Sequence, residues 1–436
     1  MDTIVLTFPT NQLLLKSTPS YKGAPVILML NSPSNSAPKH FSLLGFALLF
    51  AVVPLQHASP WAVLWTMPSI LLASLLITWG AESAQFFVAQ GFALAILAWM
   101  QTLPEFAVEA VLAWKQQTGL LLANLTGALR LLTGLAWPMI YLTASVVHRK
   151  RTGKALRLIQ LDPHHSVEVI GLIVPLLYMT FVWWKEKLEV YDALVLIAVY
   201  AAYLVLLTRL PPEEGEGIED LESVPRRIVL APPVWRTLGI CACFLLGGVI
   251  IYFTAEPFLG SLISLATAIG VPSFVVIQWL APVISEFPEL LSTFYFARQE
   301  VKAPVALMNI TSSNINQWTM LVAMLPIVLS MSRGGISALT FNDEQGRELL
   351  LTISQSSVAL MFLINMQFGW YEALLMFALF AAQFILPQIF GAGAKDWITN
   401  AFLLWTAIEI LAVLVRRRMP EAFAEFAATW KEHVRS

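Results

Sequence analysis

Apolar runs long enough to cross a bilayer dominate the chain. They cover residues 41–57, 61–80, 84–114, 118–147, 166–184, 188–210, 234–254, 271–298, 303–332, 345–366, 369–392 and 395–416. Most lie near or above the roughly 20 residues that a spanning helix needs; the first is short. Two runs carry a proline in mid-span, Pro104 and Pro288. Proline removes a backbone donor and clashes with the preceding turn, so both positions predict a broken helix. Backbone groups freed at such a break are tolerated at membrane depth only where protein or a water-filled cavity satisfies them. Residues 1–40, rich in Pro, Ser and Asn, have no long apolar run and read as a mobile tail. No basic segment precedes an apolar one there, so no cleaved signal peptide is expected.

Both proline breaks sit in matching contexts. The first reads Gln101-Thr102-Leu103-Pro104-Glu105 and the second Ser285-Glu286-Phe287-Pro288-Glu289. An asparagine follows each at similar spacing, Asn124 and Asn309, and each opens a small polar patch. A carboxylate at bilayer depth is costly and marks a functional site by default. Two in repeated contexts point to one site built from two repeats.

Composition agrees: 58% of the 436 residues are hydrophobic and 12% charged, against about 25% charged in soluble domains. The net charge of −2 says little about partners. Cys241 and Cys243 lie in one apolar run, where a Cys-x-Cys pair cannot build a zinc site alone, and they read as buried apolar residues. No phosphate-binding glycine loop, nucleophile triad or soluble catalytic domain is visible, and no nucleic-acid partner is expected.

Orientation follows from basic residues in the loops. His148 through Arg157 is placed in the cytosol. Counting spans from there puts 211–232, Arg298–Lys302 and Arg416–Arg418 on the same side. Clusters near Lys185 and Arg333 fall outside and argue mildly against this count. The Glu105 helix then runs outward and the Glu289 helix inward. The expected fold is an all-α polytopic membrane protein of two inverted five-helix repeats, ten core transmembrane helices plus one or two extra, in the cell inner (plasma) membrane. Its parts are a tail (1–40), a first membrane half (41–210, repeat motif 84–147), an acidic cytosolic linker (211–233), a second half (234–416, repeat motif 271–332) and a C-terminal tail (417–436).

These motifs resemble the α-repeats of the sodium/calcium exchanger, or cation/calcium antiporter, superfamily. The resemblance covers roughly 84–147 and 271–332. It implies a secondary antiporter that exchanges Ca2+ or a similar cation for H+ or Na+ by alternating access. The cation is the substrate and no cofactor is implied. Carried over position by position, Glu105 and Glu289 are the central cation ligands. Gln101, Thr102, Ser285 and Glu286 match the positions one turn earlier. Asn124 and Ala128, then Asn309, Ser313, Asn314 and Gln317, match polar positions on the partner helices. The sequence departs from the family in its first half, where Gly127-Ala128-Leu129 replaces Gly-Ser-Asn and Leu132 stands at an expected polar position.

Calcium takes 6–8 oxygen ligands, and carboxylates set its affinity. Glu105, Glu289, Glu286, Ser285, Thr102 and carbonyls at the prolines suffice for one divalent ion and are thin for further sodium sites. Glu109 shares a helix face with Glu105 at i+4 spacing. Arg130 is one cation set against four acids at similar depth, and is expected to pair with Glu109 or Glu105, since buried charges must pair. Such pairing would favour proton over sodium coupling, although a purely structural ion pair would look the same. Two other readings stay open: a degenerate member that moves another solute, and a non-transporting membrane enzyme or scaffold that uses the acids otherwise. Oligomeric state is not legible.

Overall fold

A computed structural model describes residues 59–87, 102–210, 218, 221–391, 393–416 and 419–434. The expected span 41–57, the residues before the first proline break (88–101, with Gln101) and most of the acidic linker lie outside these residues. Among the described residues, eight helices are long and apolar enough to cross a membrane, and up to nine if a bent pair is one span.

The first half contains α1 (Val63–Ala84), α2 (Leu103–Trp114), α3 (Thr118–Leu131) and α4 (Trp137–Thr152). A π-helical turn at Leu132–Ala136 joins α3 to α4. Strand β1 (Leu158–Gln160), α5 (Ser166–Gly171), α6 (Ile173–Trp184), β2 (Lys187–Leu188) and α7 (Val190–Leu207) follow. A short helix, α8 (Ser223–Leu230), occupies part of the stretch expected to be a simple solvated connector. The second half begins with α9 (Pro233–Ile269), a single 37-residue helix where the apolar pattern predicts a run ending near residue 254. Then come α10 (Ser273–Ser285), α11 (Phe287–Ala297), α12 (Ala303–Asn316) and α13 (Val322–Arg333), the last two joined by a π-helical turn at Gln317–Leu321. Strand β3 (Leu339–Thr340), α14 (Asp343–Leu363), β4 (Gln367–Gly369), α15 (Trp370–Phe390), α16 (Ala394–Arg416) and α17 (Glu421–Thr429) complete the chain.

The two halves match feature by feature. The π-helical turns interrupt the same helix pair in each half. Gly153 closes α4 and Gly334 closes α13, each with a left-handed φ that glycine adopts without a Cβ penalty. Glu186 before β2 and Met366 before β4 both have positive φ. The corresponding helices start alike, with the N-cap backbone N–H donating to an acid three residues on: Glu189 to Asp192 at α7, and Gly369 to Glu372 at α15.

The strands establish that the repeats are inverted. β1 pairs with β4 and β2 with β3, both antiparallel. The helical span Pro163–Trp184 crosses between β1 and β2, so the two small sheets cap opposite ends of the bundle. β1 and β3 are equivalent strands, each following the second motif helix of its half, yet they lie in different sheets. Equivalent parts of the halves therefore sit at opposite ends.

The core between the halves is built by exchanged contacts: α2 packs on α13, and α4 on α11. Helices α3 and α10 come closer still. A Cβ on Gly127 would lie 1.8 Å from the Gln278 carbonyl oxygen, so only glycine allows this approach. Cys241 is exposed on α9 and only Cys243 is buried, against the expectation that both would be.

Candidate cation site

The second proline break forms where Pro288 predicts it. α10 ends at Ser285, α11 starts at Phe287, and the two are bent by 53°. Proline occupies the first turn of α11, where its missing N–H removes no helical bond. The first break is seen from one side: Thr102 precedes α2, with Pro104 in its first turn. These starts place Glu105 and Glu289 in the first turn of α2 and α11, where free backbone N–H groups and the helix dipole favour negative charge.

Four acids are buried together at the interface of the halves. Glu105, Glu286 and Glu289 are each 1% exposed and Glu109 is 0% exposed. The Glu105 carboxyl neighbours that of Glu286, and Glu286 in turn neighbours Glu289. The acid of the first half thus lies beside the pair of the second. The Gln317 amide donates to Glu105 Oε2 at 2.8 Å and to Glu286 Oε1 at 2.7 Å, bridging the halves again. Ser313 Oγ donates to Glu289 Oε2 at 2.8 Å. Asn316 Nδ2 donates to Thr102 Oγ1 at 2.7 Å, and Asn124 Nδ2 reaches Glu109 Oε1 at 3.4 Å. Ser313, Asn316 and Gln317 share one face of α12 by i, i+3, i+4 spacing, and a π-helical turn begins at Gln317, as such bulges often do at functional sites.

Several oxygens here receive no hydrogen bond from any amide or hydroxyl. They are Glu105 Oε1, Glu109 Oε2, Glu289 Oε1, Asn124 Oδ1, Asn314 Oδ1, Asn316 Oδ1 and Gln317 Oε1, all buried. Buried acceptors are ordinarily satisfied, so a group of them from both halves suits an oxygen-seeking cation.

The remaining expected residues fall less centrally. Ser285 is buried, with its hydroxyl donating to the Ala281 carbonyl at 3.2 Å. Asn314 donates to the Ile310 carbonyl at 3.1 Å. Asn309 is only half-buried. Asn316 also belongs here, although the sequence reading does not single it out; it lies three residues after Ser313 on the same helix face.

Arg130 corrects the sequence reading. It pairs with neither Glu109 nor Glu105 but with Glu348 of α14, Nη2 to Oε2 at 2.7 Å, both side chains being buried. Glu109 instead has Asn124 as its neighbour. The reason is helical phase: Asn124 faces α2, whereas Arg130, six residues on, is turned by about 240° and faces α14 and α15. Among the described residues, no arginine or lysine salt bridge reaches the four acids. Asp162, His164 and His165 bring ligand-type atoms within 4.8 Å of one another near β1, and there Asp162 and His165 form the capping box that starts the next helical turn.

The chain matches the sodium/calcium exchanger protein family over residues 58–209 and 240–387. The crystal structure of an H+/Ca2+ exchanger, CAX, is 29% identical with a TM-score of 0.79, covering 88% of this chain and 94% of that one. A structure of the sodium-calcium exchanger NCX_Mj soaked with Na+ and Sr2+ is 19% identical with a TM-score of 0.48, covering 74% of this chain and 96% of that one. No curated protein matches. The matched segments contain both proline breaks, both polar patches and all four buried acids, and the chain belongs to the sodium/calcium exchanger family.

Proposed function

We propose that this antiporter exchanges Ca2+ for H+ across the cell's plasma membrane, at one site shared by Glu105, Glu109, Glu286 and Glu289. The observation that carries the reading is the joining of acids from the two halves by one amide, Gln317 donating to both Glu105 and Glu286, with Glu289 and Glu109 buried beside them. Carboxylates in contact cannot all be ionised; they share protons, or a cation stands among them. The same oxygens therefore serve both cargoes in turn. A calcium ion entering would take carboxylate oxygens and release the protons, and protons returning would restore the carboxyl contacts. Thr102, Ser313, Asn124 and Asn314 would complete the oxygen shell with Ser285 behind the break, and Asn309 would lie at its margin. Gln317 would hold Glu105 and Glu286 in place. Similarity to an H+/Ca2+ exchanger over 88% of the chain supports the same pair of cargoes.

Inverted repeats give such a site two equivalent exits, one on each side of the membrane. The test is calcium uptake in everted membrane vesicles under an imposed pH gradient, compared with an imposed sodium gradient. Uptake driven by the pH gradient alone is expected. Uptake driven by sodium alone would remove proton coupling. Glu105→Gln and Glu289→Gln should each reduce pH-driven uptake by roughly a hundredfold or more, the scale expected when a carboxylate ligand is lost from a buried site.

A further inference from the structure

A second buried polar cluster lies outside the acid site and holds the helix that delivers Glu286. Its hub is Glu348 of α14. Arg130 of α3 and Gln278 of α10 both donate to Glu348 Oε2, at 2.7 and 2.8 Å, and Lys395 of α16 pairs with Oε1. Arg130 and Gln278 are each at most 1% exposed. Arg130 is satisfied on its other side by the Thr126 carbonyl at 3.0 Å and by Gln383 Oε1 at 3.1 Å.

Helix α10 meets this cluster through one face. The Arg130 guanidinium stacks 4.9 Å from the Trp279 ring, and the Lys395 ammonium lies 5.7 Å from the Phe274 ring. Gln278 is held in two further ways: its side-chain amide also reaches Thr126 Oγ1 at 3.4 Å, and its backbone carbonyl oxygen abuts Gly127. Two turns further along α10 lie Ser285 and the break that presents Glu286.

We propose that Gln278 is a positioning residue for cation exchange: anchored on Glu348, it fixes the rotation and depth of α10 and hence the place of the Glu286 carboxyl. This rests on the reading of Glu286 as part of the cation site. The Arg130–Glu348–Lys395 triad keeps its own charge pairs when the Gln278 amide is removed, so the anchor can be cut without stranding a buried charge.

The experiment compares wild type, Gln278→Met and Gln278→Asn in pH-driven calcium uptake, with melting temperature in detergent measured alongside. Met keeps the volume and loses the donor; Asn keeps the amide one methylene short of Glu348. Both should raise KM for calcium by roughly tenfold, the size of one hydrogen bond to a charged group. The melting temperature without calcium should stay within about 3 °C of wild type, because only one neutral partner is removed. An unchanged KM in whichever variant folds would overturn the inference, as would a lowered melting temperature with unchanged KM, which is the mark of a merely structural contact. Failure of wild type itself to move calcium would instead overturn the reading of the function.

Discussion

At the scale of single residues, burial sorts the charged groups into two sets with different roles. The four acids of the proposed cation site have no basic partner among the described residues, whereas Arg130, Glu348 and Lys395 satisfy one another. The first set is tolerable only with a positive cargo, and the second only as a complete structural unit. Truncating one partner of a buried pair leaves an uncompensated charge and typically costs about 3–5 kcal/mol. Arg130→Met should therefore lower the melting temperature sharply and reduce the folded yield, with Lys395 partly offsetting the stranded Glu348. A fluorescence-detected melt of the purified variant checks this; an unchanged melt would show that the pair carries no stability. Ser313→Ala should act differently. It removes the hydroxyl that donates to Glu289, so calcium KM should rise by several-fold while the melt stays close to wild type.

At the scale of elements, the proline breaks were legible because proline in an apolar run has one physical consequence, and the 53° bend at Ser285–Phe287 follows it. The recurrence of Pro-Glu with a later Asn also made Glu105 and Glu289 readable as partners. The partner of Arg130 was not, because helix spacing says which residues share a face but not which neighbouring helix that face meets. Glu348 looked unremarkable beside the charged N-terminal turn of α14, where Asp343 and Glu344 also lie. Gln278 is a lone amide in an apolar run, and Gln355 and Gln383 lie in others, a signal that could have exposed the second cluster, since such side chains bridge helices in membranes. Gly127 lies in the stretch that departs from the family motif, and the structure gives it a packing reason. Gly127→Ala should force α3 and α10 apart, because the added methyl would meet backbone rather than a movable side chain. The expected result is a lower melting temperature together with loss of uptake. Gly248→Ala, on α9 with nothing near the added methyl, should change neither and serves as the control.

At the scale of the whole molecule, inversion is what brings an acid of each half to one place. The two small sheets, each with one strand from either half, tie the ends of the bundle. Between them the exchanged packing of α2 on α13 and α4 on α11 closes around the acids. The central claim is that Glu105 and Glu289 bind one ion jointly. Equilibrium calcium binding by titration calorimetry, on wild type, Glu105→Gln, Glu289→Gln and the double variant, tests it most directly. Shared ligation predicts that each single change abolishes the same binding event and that the double change does no further harm, because residues acting as a unit are strongly non-additive. Independent, additive losses, or full binding after either single change, would contradict it.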